Sequence, residues 1–123
     1  MIDKTIGGCM CFDFTATLSW LSARNRFRKL WPQLKFYPSC STDHIKYLKA
    51  KLDEDRHICI TITDCSDEIF VFVEFYRPLR ELADFADLYN LVWDSKQRVD
   101  ELFSPKITKW SSFPIDWEEK EDR

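Results

Sequence analysis

The chain is poor in glycine and histidine, on which many nucleotide-binding and general-base sites depend. Its only glycines are Gly7 and Gly8, and its only histidines are His44 and His57. The phosphate-binding loops G-x-G-x-x-G and G-x-x-x-x-G-K-[ST] require glycines at spaced positions, so the sequence contains neither loop. With two histidines, a general base of the usual kind has few candidates. We therefore expect a protein without a cofactor and without enzymatic activity.

Long apolar runs and a surplus of basic residues are also missing. No stretch approaches the roughly 20 apolar residues that cross a bilayer. The beginning of the chain, MIDKTIGGCMCFDF, lacks the continuous apolar segment of a secretory signal. Lysine and arginine number 18 against 21 aspartates and glutamates, a formal charge of −3, so no global positive field favours nucleic acid. We expect a cytoplasmic protein that does not act at a membrane.

Cysteine use indicates a reducing compartment. Five cysteines, an odd number, occur among 123 residues, and without an export signal reduced thiols are the simplest expectation. Such thiols pack as small apolar side chains. The alternative is a metal-binding or thiol-dependent protein, with the candidate residues Cys9, Cys11, Cys40, His44, His57, Cys59 and Cys65.

The spacing of these residues weakens the metal alternative and leaves one thiol candidate. No C-x₂-C pair is present, although structural zinc sites commonly take two ligands from one such turn. Cys40 lies at the predicted start of a helix, a position that lowers the pKa of a thiol, and His44 follows one turn later. Ordinary helix capping explains the same stretch, SCSTD, without catalysis.

Hydrophobic periodicity predicts the order β-α-β-α-β-β-α, with a further strand near residues 106–110. The predicted strands are 9–17, 33–37, 57–65 and 68–76, and the predicted helices are 18–31, 41–55 and 79–103. We expect one α+β domain over residues 1–123, with a mixed, mainly antiparallel sheet packed against about three helices. Residues 104–123 form an extended tail rich in acidic and aromatic residues in this prediction.

Two of these segments carry specific expectations. Residues 57–65, HICITITDC, alternate strictly, with isoleucines on one side and His57, Cys59 and Cys65 on the other. The next strand is apolar on both sides, so we expect it to be central in the sheet and covered on both faces. The apolar stripe of the last helix, which we expect to face the core, comprises Leu82, Phe85, Ala86, Tyr89, Val92, Trp93, Val99 and Phe103.

Basic residues cluster once, on the first helix. Arg24, Arg26, Arg28 and Lys29 accompany aromatic residues there, an arrangement that can hold a nucleic-acid backbone. Because the rest of the chain is acidic, we interpret these side chains as the solvated side of an amphipathic helix. Direct nucleic-acid binding is therefore not expected.

Acidic side chains lie close to tryptophans in the second half of the chain. Charged helix faces are often simply solvated. Carboxylates beside exposed aromatic rings are also what binding to a basic protein surface requires, because charge speeds the encounter and buried rings slow dissociation. The predicted partner-binding residues are Asp84, Asp87, Asp94, Glu101, Trp110, Asp116, Trp117, Glu118 and Glu119.

Small size, acidity and the missing catalytic motifs together predict a protein-binding domain. The most specific hypothesis is an inhibitor of the immunity-protein or antitoxin type, which covers the basic active-site surface of a toxin or nuclease. This step is an analogy, because function resides in a site and not in a fold class.

Overall fold

The computed structural model of the protein describes residues 6–63 and 67–112, without the side chains of residue 40 and residues 108–112. Within these residues, two α-helices and six strands follow one another, with 3₁₀ turns before the third strand and before the last one. The elements are β1 (Gly8–Ala16), α1 (Trp20–Leu30), β2 (Lys35–Phe36), β3 (Ile45–Lys51), β4 (Arg56–Thr63), β5 (Glu68–Phe75), α2 (Leu82–Phe103) and β6 (Ile107–Ser112).

The strands form one sheet in the order β2-β3-β4-β5-β1-β6, and every pairing is antiparallel. Ile60 in β4 lies opposite Leu48 in β3 and Val71 in β5, so apolar side chains from three strands meet on one face. The predicted α+β class is confirmed. The predicted mixed sheet is corrected to a purely antiparallel one in the part of the chain that the structure describes.

Both helices lie on the same face of this sheet. Phe103 in α2 packs against Phe27 of α1 and Phe14 of β1, with ring centroids 4.6 and 5.8 Å apart. All three side chains are fully buried and belong to one hydrophobic core with the buried residues of the strands. Burying each such ring stabilises the fold by roughly 1.5–3 kcal/mol, so this aromatic cluster fixes α1 and α2 on the sheet.

Local signals explain where the helices begin. The side chain of Ser19 caps α1 by accepting a hydrogen bond from the N–H of Ser22, 3.2 Å away. At α2, Glu81 and Asp84 form a capping box in which each side chain accepts a hydrogen bond from the other's backbone N–H. The predicted first and last helices are thereby confirmed, although α2 begins three residues after the predicted start at residue 79.

The predicted helix at 41–55 is wrong, and this is why the structure has two α-helices instead of about three. Thr42 does not start a helix; its hydroxyl accepts hydrogen bonds from the N–H groups of His44 and Ile45 in a turn. The chain then continues as β3, which pairs with β4 along its whole length. Asp53 closes the β3–β4 turn by accepting from the N–H groups of Asp55 and Arg56. Long-range pairing outweighs local helix propensity here.

The expectation for β5 holds only in part. This strand is central, between β4 and β1, and Ile69, Val71 and Val73 are buried under the helices. Its other face carries Phe70 and Phe72, which are partly exposed because no further layer of the described chain covers that face. The two rings lie nearly parallel, with centroids 6.4 Å apart.

Gly7 and Gly8 lie where the start of β1 passes close to the segment between β5 and α2. The N–H of Gly7 donates to the carbonyl of Phe75 at 2.7 Å. A Cβ atom on Gly7 would lie 1.8 Å from the carbonyl oxygen of Arg77, and one on Gly8 would lie 2.2 Å from Leu79. Glycine is therefore required at position 7, where the neighbouring atoms belong to the backbone, while at position 8 the side chain of Leu79 would have to move.

Candidate protein-binding surfaces

The beginning of α2 exposes large apolar side chains. Leu82 is 88% exposed and Phe85 is 52% exposed. Together with Ala86 and Tyr89 they line a shallow cavity of about 380 Å³ on the outer side of the helix. We call these four residues the α2 apolar stripe. Its spacing of three, four and seven residues places all four on one side of the helix.

The α2 apolar stripe is distinct from the side of α2 that faces the core. The buried positions are Leu88, Val92, Ser95, Val99 and Phe103. The stripe predicted from the sequence contains residues of both sides. The expectation that Leu82, Phe85 and Ala86 face the core is therefore wrong. Successive residues are about 100° apart around a helix axis. Apolar residues on two adjoining sides therefore read as one wide apolar stripe, and the pattern does not show which side the sheet covers. Tyr89 extends the exposed side toward Trp93, with ring centroids 6.1 Å apart.

Two of the predicted acidic residues belong to an ion-pair network within the chain. Asp87 Oδ2 accepts hydrogen bonds from Arg77 at 2.7 Å and from Arg56 at 2.9 Å. Asp84 lies 3.7 Å from Arg77, and Asp55 lies 3.8 Å from the same guanidinium. Hydrogen bonds from the backbone N–H groups of residues 80 and 81 lower the pKa of Asp84, with the nearby arginines contributing further. These carboxylates therefore hold the first turns of α2 against the β3–β4 turn and the end of β5.

The other two predicted carboxylates of α2 lie together at a second cavity. Asp94 and Glu101 line an open cavity of about 560 Å³ at the junction of α1 and α2. Leu30 and Leu102 form its apolar part, and Arg98 pairs with Asp94 at 2.9 Å. Both side chains of that ion pair are more than half exposed, so the pair is largely screened by water. Glu101 makes no ion pair with any described residue.

The remaining predicted site residues are only partly described. Trp110 lies in β6, where its Cα is paired with that of Phe14 in β1. The other four, Asp116, Trp117, Glu118 and Glu119, lie outside the described residues.

The basic residues of α1 divide between the helix interface and the surface. Arg26 donates to the carbonyl of Leu102 at 3.3 Å, and its guanidinium lies over the Phe103 ring. Arg28 and Lys29 are exposed in the last turn, where the helix dipole favours positive charge. The interpretation of this cluster as the solvated side of an amphipathic helix fits Arg28 and Lys29, but it is wrong for Arg26, which contacts α2.

The sheet face opposite the helices carries a polar cluster at one end. Tyr76 accepts a hydrogen bond from Lys49 at 2.8 Å and donates one to Glu74 at 2.9 Å. The His57 ring packs on Tyr76 with centroids 4.2 Å apart. Burial, followed by the positive charge of Lys49, lowers the pKa of His57, and burial raises the pKa of Tyr76. Both side chains are thus held neutral near pH 7.

Burial lowers the reactivity of two of the candidate thiols. Burial raises the pKa of Cys9, and it raises the pKa of Cys11 to about 12, with the charge of Asp13 adding to the effect. Thiolates, which are the nucleophiles, are therefore scarce at both positions. Cys40 ends a 3₁₀ turn and does not begin an α-helix, so the predicted helix-terminal activation of its thiol is wrong. No group of three potential metal ligands occurs among the described residues.

Comparisons with known proteins give no relative for this arrangement. No protein-family model matches the chain, and neither a curated protein nor a solved structure matches it. Among the described helices, none combines the length and apolar character that crossing a bilayer requires.

Proposed function

We propose that the chain is a protein-binding domain whose contact is centred on α2. The observation that carries this proposal is the α2 apolar stripe, where Leu82 and Phe85 project into solvent beside Ala86 and Tyr89. Single exposed apolar residues are common on proteins, but a row of them on one side of a helix marks a surface for another molecule. An exposed helix side of this spacing fits a hydrophobic groove on a partner.

The acidic cavity further along α2 supports a partner with a basic surface. Asp94 and Glu101 lie one to three turns after the apolar stripe, next to the partly buried side chains of Leu30 and Leu102 at the α1–α2 junction. Such charge increases the rate of encounter with a basic partner, while the apolar side chains determine how slowly the complex dissociates. Asp84 and Asp87 contribute indirectly, because their arginine pairs hold the start of α2 in place.

The specific form of the proposal is an inhibitor of the immunity-protein or antitoxin type in the cytoplasm. Bound to a toxin or nuclease, α2 would cover the active-site surface, and its carboxylates would occupy positions that substrate phosphates use. The size of the chain, its formal charge of −3 and the absence of nucleotide-binding motifs in its sequence support this form. Trp110, Asp116, Trp117, Glu118 and Glu119 belong to the proposed surface on sequence grounds.

Site-specific photo-cross-linking in the source cells tests the proposal. A photoreactive phenylalanine analogue replaces Phe85 in one variant and Leu21, an exposed residue of α1, in the control variant. We expect one protein to be cross-linked from position 85 and not from the control position, and the same protein to bind the purified chain. Equal cross-linking of many proteins from both positions would overturn the proposal.

Salt dependence tests the electrostatic part separately. We expect the double variant Asp94→Lys/Glu101→Lys to associate more slowly with the identified partner and to lose much of the dependence of the association rate on salt. The control is Asp43→Lys/Glu54→Lys, which makes the same change in charge at exposed positions in the turns before and after β3. If both double variants changed the rate equally, only net charge would matter and the acidic cavity would not be part of the contact.

A further inference from the structure

The open face of the sheet contains a trough that runs along β4. The floor consists of short side chains, Cys59 and Thr61, whose strand lies between β3 and β5. Tyr47 forms one wall, and Phe70 and Phe72 form the other. Two adjoining cavities of about 480 and 350 Å³ share Tyr47 and Cys59, and Tyr37 widens the first of them toward the edge of the sheet. The alternation in HICITITDC thus places isoleucines in the core and the floor of the trough on the other side.

The backbone of β4 cannot bind an added strand. β3 pairs with it from residue 57 to residue 63, and β5 pairs with it from residue 56 to residue 62. An occupant is therefore held by side chains alone, and its own backbone stays hydrated or bonds to side chains. A polyproline II segment meets this condition, because it has no internal hydrogen bonds and its backbone remains solvated. An extended β-strand would leave its N–H and C=O groups without a ladder.

The size of the trough also suits one polyproline II segment. Neighbouring strands are about 4.8 Å apart, so the walls on β3 and β5 rise from backbones about 10 Å apart, the width of a single chain. Along β4, the distance from residue 57 to residue 63 is about 20 Å, which corresponds to two turns of a polyproline II helix at ~3.1 Å per residue.

The chemistry of the walls selects the same class of ligand. Aromatic rings on both sides are the surface on which proline rings pack in known modes of peptide recognition. The hydroxyl groups of Tyr37 and Tyr47, which bond to no described residue, can donate to the carbonyl groups of a bound peptide. At one end, Lys49 and Glu74 lie 3.6 Å apart and both bond to Tyr76, so the charges cancel. A polyanion such as single-stranded nucleic acid would need a surplus of positive charge here.

We propose that this trough binds a proline-rich segment of another protein in the polyproline II conformation. The surface lies on the side of the sheet away from α2, so it does not depend on the function proposed above. Phe72 and Tyr47 pack against the proline rings from the two walls. The hydroxyls of Tyr37 and Tyr47 and the Lys49–Tyr76 pair determine the direction in which the peptide binds.

A random dodecapeptide library displayed on phage tests the proposal with the full chain as target. We expect selected peptides to be enriched in prolines three residues apart, and synthetic copies to bind the variant Phe72→Thr at least about tenfold more weakly than wild type. Threonine is favoured in strands, so this variant should fold. Its control is Lys35→Thr, on the exposed edge strand, which should bind like wild type.

Five outcomes would overturn the proposal. Two concern the peptides: selection of peptides without spaced prolines, or equal loss of binding in both variants. Two concern other ligands: tighter binding of a 15-nucleotide deoxythymidine strand, or dimerisation of the chain, either of which Phe72→Thr abolishes. A synthetic peptide with the sequence of residues 113–123 that binds better than any selected peptide would assign the trough to the chain's own end. If Phe72→Thr does not fold, Tyr47→Thr replaces it.

Discussion

The Nη2 atom of Arg77 lies 2.7 Å from Oδ2 of Asp87 and thereby joins the end of β5 to the second turn of α2. The same oxygen accepts a hydrogen bond from Arg56 at the start of β4. Both guanidinium groups also lie over the ring of Phe75, at 5.0 Å for Arg77 and 5.7 Å for Arg56. One carboxylate thus fixes two arginines above a buried ring, and this junction sets the position from which Leu82 and Phe85 project.

Replacing Asp87 should loosen this junction. We expect Asp87→Asn to lower the Tm by a few degrees, because two partly shielded arginines lose their shared partner while remaining close together. The control is Asp94→Asn, which removes a single exposed pair on the same helix and should leave the Tm unchanged. Thermal unfolding followed by circular dichroism measures both. Equal Tm values for wild type and Asp87→Asn would show that the network does not hold α2.

His57 should make the stability of the protein depend on pH in mildly acidic solution. Its pKa in the folded state is lowered by burial and by Lys49, so the unfolded chain binds the proton more readily. Stability is therefore complete above the unfolded pKa of about 6.5 and decreases as pH falls through the folded value. We expect His57→Gln to reduce this decrease.

Urea unfolding at a series of pH values between about 7 and 5 checks this prediction. His44→Gln is the matched control, because it removes the other histidine, which is exposed in the turn before β3. If His57→Gln and wild type lost stability in parallel over this range, the neutral state of His57 would not be coupled to folding.

Cys11 should be unreactive toward alkylating agents while the chain is folded. Burial raises its pKa to about 12, so the thiolate fraction at pH 8 is very small. We expect iodoacetamide to modify Cys11 much more slowly in the native protein than in urea, with mass spectrometry of the peptides as the measurement. Rapid native labelling of Cys11 would instead revive the thiol-dependent alternative.

The sequence predicts most elements because their signals are local and agree with the long-range contacts. The alternation of residues 57–65, the apolar run at 68–76 and the short polar turn between them predict the β4–β5 hairpin. Pro32 and Pro105 lie just beyond the ends of α1 and α2. The helix prediction for residues 41–55 is wrong because the capping residues and the apolar spacing of this segment are also compatible with a turn followed by a strand next to the sheet edge. Only the pairing with β4 distinguishes the two structures, and pairing partners are not a local property.

The candidate site is less predictable than the fold. Periodicity identifies apolar residues on α2 but does not tell which of them the sheet covers, so the sequence does not predict that Leu82 and Phe85 are exposed. The spacing of Asp84 and Asp87 likewise gives their side of the helix, but it does not show that Arg56 at the start of β4 and Arg77 just after β5 both contact Asp87. Arg56 and Arg77 both have acidic residues close to them in the sequence, but this proximity does not tell which carboxylate each arginine contacts.

The affinity of the partner identified by cross-linking tests the central proposal most directly. Isothermal titration calorimetry compares wild type with the double variant Leu82→Ala/Phe85→Ala and with Leu21→Ala, which removes an exposed leucine from α1. We predict that the double variant keeps the wild-type Tm and binds at least about tenfold more weakly, while Leu21→Ala binds like wild type. A Kd for the double variant within about twofold of the wild-type value would contradict the proposal that α2 is the contact surface.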